Sequence, residues 1–347
     1  MNEVKLGSTP TEEAVARVVA AAMKWGPTKV ARIATECGIP TETCRHYIKT
    51  LFKKGYTFTA VVDYHALGLQ QCMALLRLSR EWRRGLRENN LVRWLERIYA
   101  VYRAGLAQGG EYLFHVAVPQ GEEREYVKLL EDLVEKEVIE RYEFYMVKDG
   151  YYAPRWIKMY SLLRDAWRST PLETEIQKTP ITYNNGTTDV DKLDLAIILR
   201  LEIDPRKHNR EIAKETGYSA QLISYHRQKH VEGQRLITGF VAELTRESHE
   251  RKLLIIATKR EELIDEALLN YMHLRIETPD SYVIYRLHLP FQLHTKLTPD
   301  IQSLLLHHDK IIRFGIPLEH YNADGEWTSI RLFLQNVDEV VATIRRE

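Results

Sequence analysis

The chain has 347 residues, 44% of them apolar and 28% charged, with a net charge of +1; this balance buries real cores and excludes a disordered chain or a bulk polycation. The longest uncharged stretches, such as residues 64–76, are too short to cross a bilayer, and the opening Met1-Asn2-Glu3-Val4-Lys5 lacks the basic start and apolar core of a secretory signal. Cys37, Cys44 and Cys72 are odd in number and share no metal-ligand spacing, so they read as reduced thiols of a cytoplasmic protein, with no metal and no cofactor expected.

In chain order, Thr9-Pro10-Thr11-Glu12 predicts a helix start: a threonine cap, a proline at the first helical position and a glutamate at the third. Val15, Val18, Val19 and Ala22 keep one apolar face as far as Gly26. A second helix spans about 27–37 and ends at Gly38, and a third runs from about 40 to 54. Residues 56–63 are β-branched and strand-like. Then follow a strand at 72–78, a helix at 91–106, a Gly109-Gly110 turn, a strand at 112–118, a helix at 123–137 and a strand at 142–147. This order leaves room for one further strand and suits a ferredoxin-like βαββαβ unit. Residues 151–167 read as a helix, and 169–188, rich in Thr, Pro and Asn, as a linker.

The second half repeats the order. A helix carries Leu193, Ile197, Ile198 and Leu201; helices follow at 209–216 and 219–231, then a strand at 236–244. Beyond lie a strand at 252–257, a helix at 260–272, a strand at 281–289, a helix at 290–306, strands at 310–317 and 327–334, and a short helix at 337–344.

The two halves share a motif. Ile33-Ala34-Thr35-Glu36-Cys37-Gly38 recurs as Ile212-Ala213-Lys214-Glu215-Thr216-Gly217, an offset of 179 residues, and the frame holds into the next helix, with Cys44 over Ile223 and Tyr47 over His226. A duplicated unit of roughly 165 residues accounts for the length. The expected fold class is α+β, two winged helix-turn-helix units alternating with two ferredoxin-like units. Residues 9–68 and 189–246 form the former, 69–168 and 247–347 the latter, and 169–188 links the halves.

Both copies of the motif lie in basic blocks: residues 24–54 hold seven Lys/Arg against two acids, and 205–235 seven against three. Three short helices followed by a strand suit a head that lays its third helix in a DNA major groove. In the first copy Cys44, Ile48 and Leu51 point inward, leaving Thr41, Glu42, Arg45, His46 and Lys49 outward for base edges; Lys53 and Lys54 suit phosphates. In the second, Leu222 and Ile223 are inward, while Ser219, Gln221, Ser224, Tyr225, Gln228 and Lys229 offer polar contacts. Arg227 and His230 stand where Ile48 and Leu51 stood, so this helix is rotated, ends early or has left DNA work. A packing module with a solvated basic face is the competing reading of both copies.

Leu193-Asp194-Leu195-Ala196-Ile197-Ile198-Leu199, Asp204-Pro205-Arg206 and residues 211–219 resemble the opening of the leucine-responsive (Lrp/AsnC) regulators. Gly55, Asp63, Leu67-Gly68-Leu69 and Gly110-Glu111-Tyr112 are similar to that family too. The resemblance implies a DNA-binding transcription regulator whose two sensing domains pair within one chain as a pseudo-dimer, with further homodimerisation open. Its partners would be double-stranded DNA and a small-molecule effector. The Gly109, Gly110 and Glu111 turn is either an effector-binding backbone or simply a tight turn; in the second half Thr278-Pro279-Asp280 replaces the glycines.

Siroheme decarboxylases share this fold. They carry a His-Asn-Tyr-x-Arg turn and an Asn-Leu-Trp-Phe-Thr strand, which residues 107–118 and 275–289 lack, so a siroheme-decarboxylase-like enzyme stands as the alternative to the DNA-binding reading, beside an interaction module of the same fold. No Gly-rich phosphate loop or hydrolase motif occurs, and the chain is expected not to be an enzyme. His226 and His230 are four apart with no carboxylate nearby in sequence, which favours a DNA-facing or capping role over metal. Trp82 and Trp94 read as packing residues.

Overall fold

The computed structural model describes residues 11–83, 85–96, 100–105, 111–164, 166–182, 186–244, 251–259, 261, 264, 266–290, 305–306, 312–313 and 342. Among these it is a mixed α+β protein with small antiparallel sheets. No helix among them is long and apolar enough to cross a membrane.

The first head is three helices. In α1 (Glu12–Trp25) the cap is Thr11, whose Oγ1 accepts from the Ala14 N–H at 3.1 Å; Thr9 and Pro10 lie outside the described residues. Its apolar face buries Val15, Val18, Val19 and Ala22, as the spacing predicts. Next, α2 (Val30–Cys37) stops at Gly38, whose φ of +65° is left-handed, and α3 (Thr41–Lys53) buries Cys44, Tyr47, Ile48 and Leu51. Strand β1 (Tyr56–Val62) leaves this head.

The first sheet comes from β2 (Leu69–Leu78), α4 (Gly85–Glu96), β3 (Ala100–Gly105), β4 (Glu111–Pro119), α5 (Glu123–Glu135) and β5 (Ile139–Met146), with neighbours β3-β4-β2-β5. Tyr126, Leu129, Leu130 and Leu133 of α5 share a core with Cys72, Ala74 and Leu76 of β2 and Phe114, Val116 and Val118 of β4. The helix expected over 91–106 instead stops at Glu96. Residues 100–105 pair with β4, because the ladder from Ala100↔Val116 to Gly105↔Tyr112 outweighs local helical periodicity.

The helix expected at 151–167 is likewise replaced. The chain forms β6 (Asp149–Tyr152), the single turn α6 (Trp156–Met159) and a small hairpin of β7 (Tyr160–Ser161) and β8 (Ala166–Trp167); β9 (Thr179–Pro180) follows in the expected linker. Non-local pairing again decides, since Tyr151 and Tyr152 lie opposite Arg275 and Leu274.

The second head is α7 (Lys192–Ile203), α8 (Asn209–Thr216) and α9 (Ala220–His226), the last widening into a π-helical turn over Arg227–Glu232 before β10 (Ile237–Leu244). Asp191 and Asp194 form a capping box on α7, and Gly217 ends α8 at φ +78°. The second sheet uses β11 (Arg251–Thr258), α10 (Glu266–Leu269), β12 (Met272–Glu277), β13 (Val283–Pro290) and β14 (Leu305–Leu306); β15 (Ile312–Arg313) leaves it. Among the described residues of the expected helix 260–272, α10 is the α-helical stretch, and the chain is in strand β12 from Met272. Leu305 and Leu306, expected helical, are a strand against Leu254 and Leu253. The elements expected at 327–334 and 337–344 lie outside the described residues, apart from helical Ala342.

The halves interlock. Strands β1 and β10 pair antiparallel from Tyr56↔Leu244 to Val62↔Ile237. Strand β6 of the first half adds to the second sheet beside β12, and β15 of the second half adds to the first sheet beside β3. Met73 and Leu113 from one sheet and Leu274, Ile276 and Ile284 from the other close one core with Val61 and Val241. On β4, Phe114, Val116 and Val118 pack with α5 while Leu113 meets the partner sheet; on β13, Val283, Tyr285 and Leu287 share a core with Leu268 of α10 while Ile284 meets the partner sheet.

Candidate functional site

On α3, Thr41, Glu42, Arg45, His46, Lys49 and Lys53 all point to solvent, as the 3.6-residue period dictates once Cys44, Tyr47, Ile48 and Leu51 are buried. Arg45 pairs with Glu42 one turn back, so part of this basic face is internally neutralised. Lys54 is turned away: its Nζ donates to the carbonyls of Leu162, at 3.4 Å, and Leu163.

The second head differs. The Ser219 hydroxyl accepts from the Leu222 N–H at 3.2 Å and serves as the cap of α9. Leu222, expected inward, is 38% exposed, while Ile223 is buried. Gln221, Tyr225, Gln228 and Lys229 are exposed and Ser224 is half-buried. Arg227 lies inward but finds partners: Glu232 Oε1 at 3.1 Å, the Lys207 carbonyl at 3.3 Å and Asn209 Oδ1 at 3.2 Å. His226 and His230 do not face outward together. Both turn to Asp194 on α7, His226 Nδ1 at 2.9 Å from Oδ1 and His230 Nδ1 at 3.0 Å from Oδ2. Sequence spacing hides this trio because Asp194 stands 32 positions before His226.

The heads touch one another. The Arg206 guanidinium lies 4.5 Å from the Phe52 ring centre, and Lys29 Nζ is 3.6 Å from Glu232 Oε2. The second third-helix is thus partly held against the first head.

A different site opens at the seam of the sheets. A cleft of about 390 Å³ is bounded by His65, Gln70, Gln71 and Lys148 from the first half, Thr182 of the connecting segment and Pro279 from the β12–β13 turn. Gln70 Nε2 donates to the carbonyls of Gln71 (2.9 Å) and Val147 (2.7 Å), fixing one wall. Behind it Gln71 Oε1 sits 3.1 Å from His115 Nε2, both buried. His65 Nδ1 is buried with no hydrogen-bond partner among the described residues. The β12–β13 turn that replaces the glycines is held by Thr278 Oγ1, which accepts from the Tyr282 N–H at 3.1 Å, with Ser281 at φ +63°. Gly109 and Gly110 lie outside the described residues, and Glu111 opens β4 opposite Arg77.

Deeper in the second half lies a buried polar cluster that sequence reading missed. Trp156 Nε1 donates to His273 Nδ1 at 3.1 Å, and His273 Nε2 is 3.7 Å from Glu243 Oε1. An indole nitrogen only donates, so His273 Nδ1 accepts and its proton sits on Nε2, toward the carboxylate. Arg286 reaches the same oxygen at 3.5 Å, and the His288 ring centre is 4.7 Å from that of His273. Trp156 lies on α6, Glu243 on β10, His273 on β12 and Arg286 and His288 on β13, so no local spacing links them in the sequence.

No protein-family model matches this sequence, and no curated protein matches it. Its fold does match solved structures. Siroheme decarboxylase NirDL in co-complex with an iron-uroporphyrin III analogue is similar over 96% of this chain and 100% of that one, with a TM-score of 0.50 and 12% identity. A second structure of NirDL gives the same coverage and TM-score at 14% identity. Leucine response regulatory protein LrpA of Mycobacterium tuberculosis covers 40% of this chain and 92% of its own, with a TM-score of 0.28 and 16% identity. At these identities the likeness is one of fold.

The expectation of a non-enzyme is thereby corrected, since the solved structures similar over the whole chain are those of an enzyme. The missing short motif was a poor ground for it, because catalytic groups are assembled from separate strands and need no contiguous signature. For the Lrp/AsnC resemblance the likeness is partial only: regulators of that kind match about two fifths of the chain, at TM-scores of 0.28 and 0.29.

Proposed function

We propose that this chain is a siroheme-decarboxylase-like enzyme that binds a carboxylate-bearing tetrapyrrole at the seam between its two sheets. In this reading two winged helix-turn-helix units alternate with two ferredoxin-like units, and the interlocked pair forms in one chain the cleft that paired subunits would otherwise form. The cleft bounded by His65, Gln71 and Lys148 carries the proposal, in a fold similar to NirDL from end to end. Its size falls within the range of small-molecule sites, and its charge suits an anionic ligand.

Decarboxylation breaks a C–CO₂ bond; the electron pair stays on carbon, which takes up a proton, and CO₂ departs. The protein must hold the carboxylate and place an acid beside the nascent carbon. Lys148 is the cation for the first task, and His65 is the imidazole at the cleft for the second. Because the His-Asn-Tyr-x-Arg turn is lacking, these roles fall to residues peculiar to this chain. Anaerobic titration of siroheme and of iron-uroporphyrin III, followed by the Soret band and by mass spectrometry of the pigment, tests this. A shifted band and loss of CO₂ are expected, both abolished by H65A with K148A. An unshifted band with the intact protein overturns the proposal.

A second activity has its own observation, the exposed Thr41, Glu42, Arg45, His46 and Lys49 face of α3, which fits double-stranded DNA. The second head, with Ser219 used as a cap and Arg227 and His230 bonded inward, would contribute through Gln221, Ser224, Tyr225, Gln228 and Lys229.

A further inference from the structure

We propose that Asp194, His226 and His230 bind a divalent transition metal of the zinc class, tying the third helix of the second head to α7. One donor atom from each residue can be chosen so that all lie within 4.8 Å of one another. The two Nδ1 atoms approach separate oxygens of one carboxylate at 2.9 and 3.0 Å, and the imidazole centres are 4.6 Å apart. Neutral imidazole and carboxylate are preferred zinc ligands at about 2.0–2.2 Å, so donors around a tetrahedral ion stand about 3.3 Å apart. To seat the ion these two contacts open by a few tenths of an ångström, while the remaining donor separations, within 4.8 Å, draw in to the same spacing. Asp191 Oδ2, 3.6 Å from His226 Nδ1, is within reach as a further ligand.

The duplication supplies an internal control. At the offset of 179, Asp194, His226 and His230 correspond to Val15, Tyr47 and Leu51. All three of those are buried in the first head's core, at 2%, 6% and 2% exposure. The scaffold therefore closes without a carboxylate or imidazole here, and a carboxylate with no solvent exposure is costly unless it is compensated. In the second head the whole Val-Tyr-Leu trio is exchanged for a set of metal-ligand side chains. The helix also changes form at the same place. Its α-helical hydrogen bonding ends at His226, and His230 lies in the π turn, whereas α3 runs on as an α-helix through Leu51 to Lys53. Such π turns recur where side chains must be re-aimed for function. Asp194 is itself anchored, since its Oδ2 accepts from the Asp191 N–H at 3.2 Å in the capping box. The Tyr225 ring covers both imidazoles, 5.6 and 5.7 Å from them.

Full-length protein stripped with chelator should take up one equivalent of Co²⁺, with visible d–d bands of low coordination number that Zn²⁺ then removes, and each ion should raise the melting temperature. The variant D194V/H226Y/H230L rebuilds the first head's Val-Tyr-Leu trio and should fold, by circular dichroism, with no cobalt bands. H230Q, a milder change, should weaken Co²⁺ binding by at least ~10-fold. A wild-type protein without bands or melting shift would show a metal-free hydrogen-bonded triad and overturn the site. So would equal cobalt binding by wild type and H230Q.

Discussion

Trp156 and His273 lie 117 positions apart and meet through one hydrogen bond, the indole N–H donating to Nδ1 at 3.1 Å. Both side chains are fully buried. The bond joins the segment after the first sheet to strand β12 inside the second, and it selects the His273 tautomer that presents Nε2–H to Glu243. W156F keeps most of the ring but removes the donor, leaving a buried acceptor without its partner. We expect a loss of about 1–3 kcal/mol in urea denaturation. An unchanged midpoint would mean that the bond contributes nothing.

Gly26 closes α1 at φ +84°, and a Cβ there would lie 2.8 Å from the Phe240 ring of β10. Gly38 has a similar φ, +65°, with nothing within 4 Å of such a Cβ. G38A should therefore cost only left-handed backbone strain, about 1 kcal/mol. G26A should cost more, because it adds a clash across the two halves, and the difference is readable in parallel thermal melts. Equal effects would show that Phe240 gives way freely.

Glu36 is held below the usual carboxylate range chiefly by the Trp25 indole N–H; desolvation opposes this and Lys24 adds to it. A lowered folded pKa stabilises the protein above the unfolded pKa, and that contribution fades as pH falls through the folded value. The pair is partly exposed, so E36Q should cost only about 0.5–1 kcal/mol at pH 7. The gap between E36Q and wild type should close below pH ~4. A gap that persists in acid would place the effect in packing.

Cys37, Cys44 and Cys72 are free and buried, and burial pushes all three thiols up, Cys44 to about 11. Thiolate is the reactive species, so Ellman's reagent at pH 8 should label none of them within minutes in the native protein and all of them in guanidinium. Fast labelling of Cys37 or Cys44 in the native protein would show that the first head opens readily, and of Cys72 that the first sheet does.

On the proposed DNA-reading role of α3, R45A should weaken specific binding by roughly 10-fold, while K53A should weaken all sequences alike and flatten the salt slope. Gel shifts at two salt concentrations separate the two. If neither changes affinity, this face does not read DNA.

Local sequence determined the heads. Their helices are short and amphipathic and end at Gly38 and Gly217, so a 3.6-residue period and two left-handed caps locate α2, α3 and α8 within a few residues. The 179-residue repeat likewise announced two similar halves. Residues 100–105, 149–152 and 272–277 were misread or passed over because their strands exist only through partners far along the chain, and a ladder hydrogen bond leaves no local trace. The same holds for function. The outward residues of α3 follow from periodicity, whereas the His65–Gln71–Lys148 cleft, the Trp156–His273–Glu243 cluster and the Asp194–His226–His230 trio arise only when distant segments pack together. Periodicity assigns a side chain to a face. Which side chain it meets there was decided by how the two halves interlock.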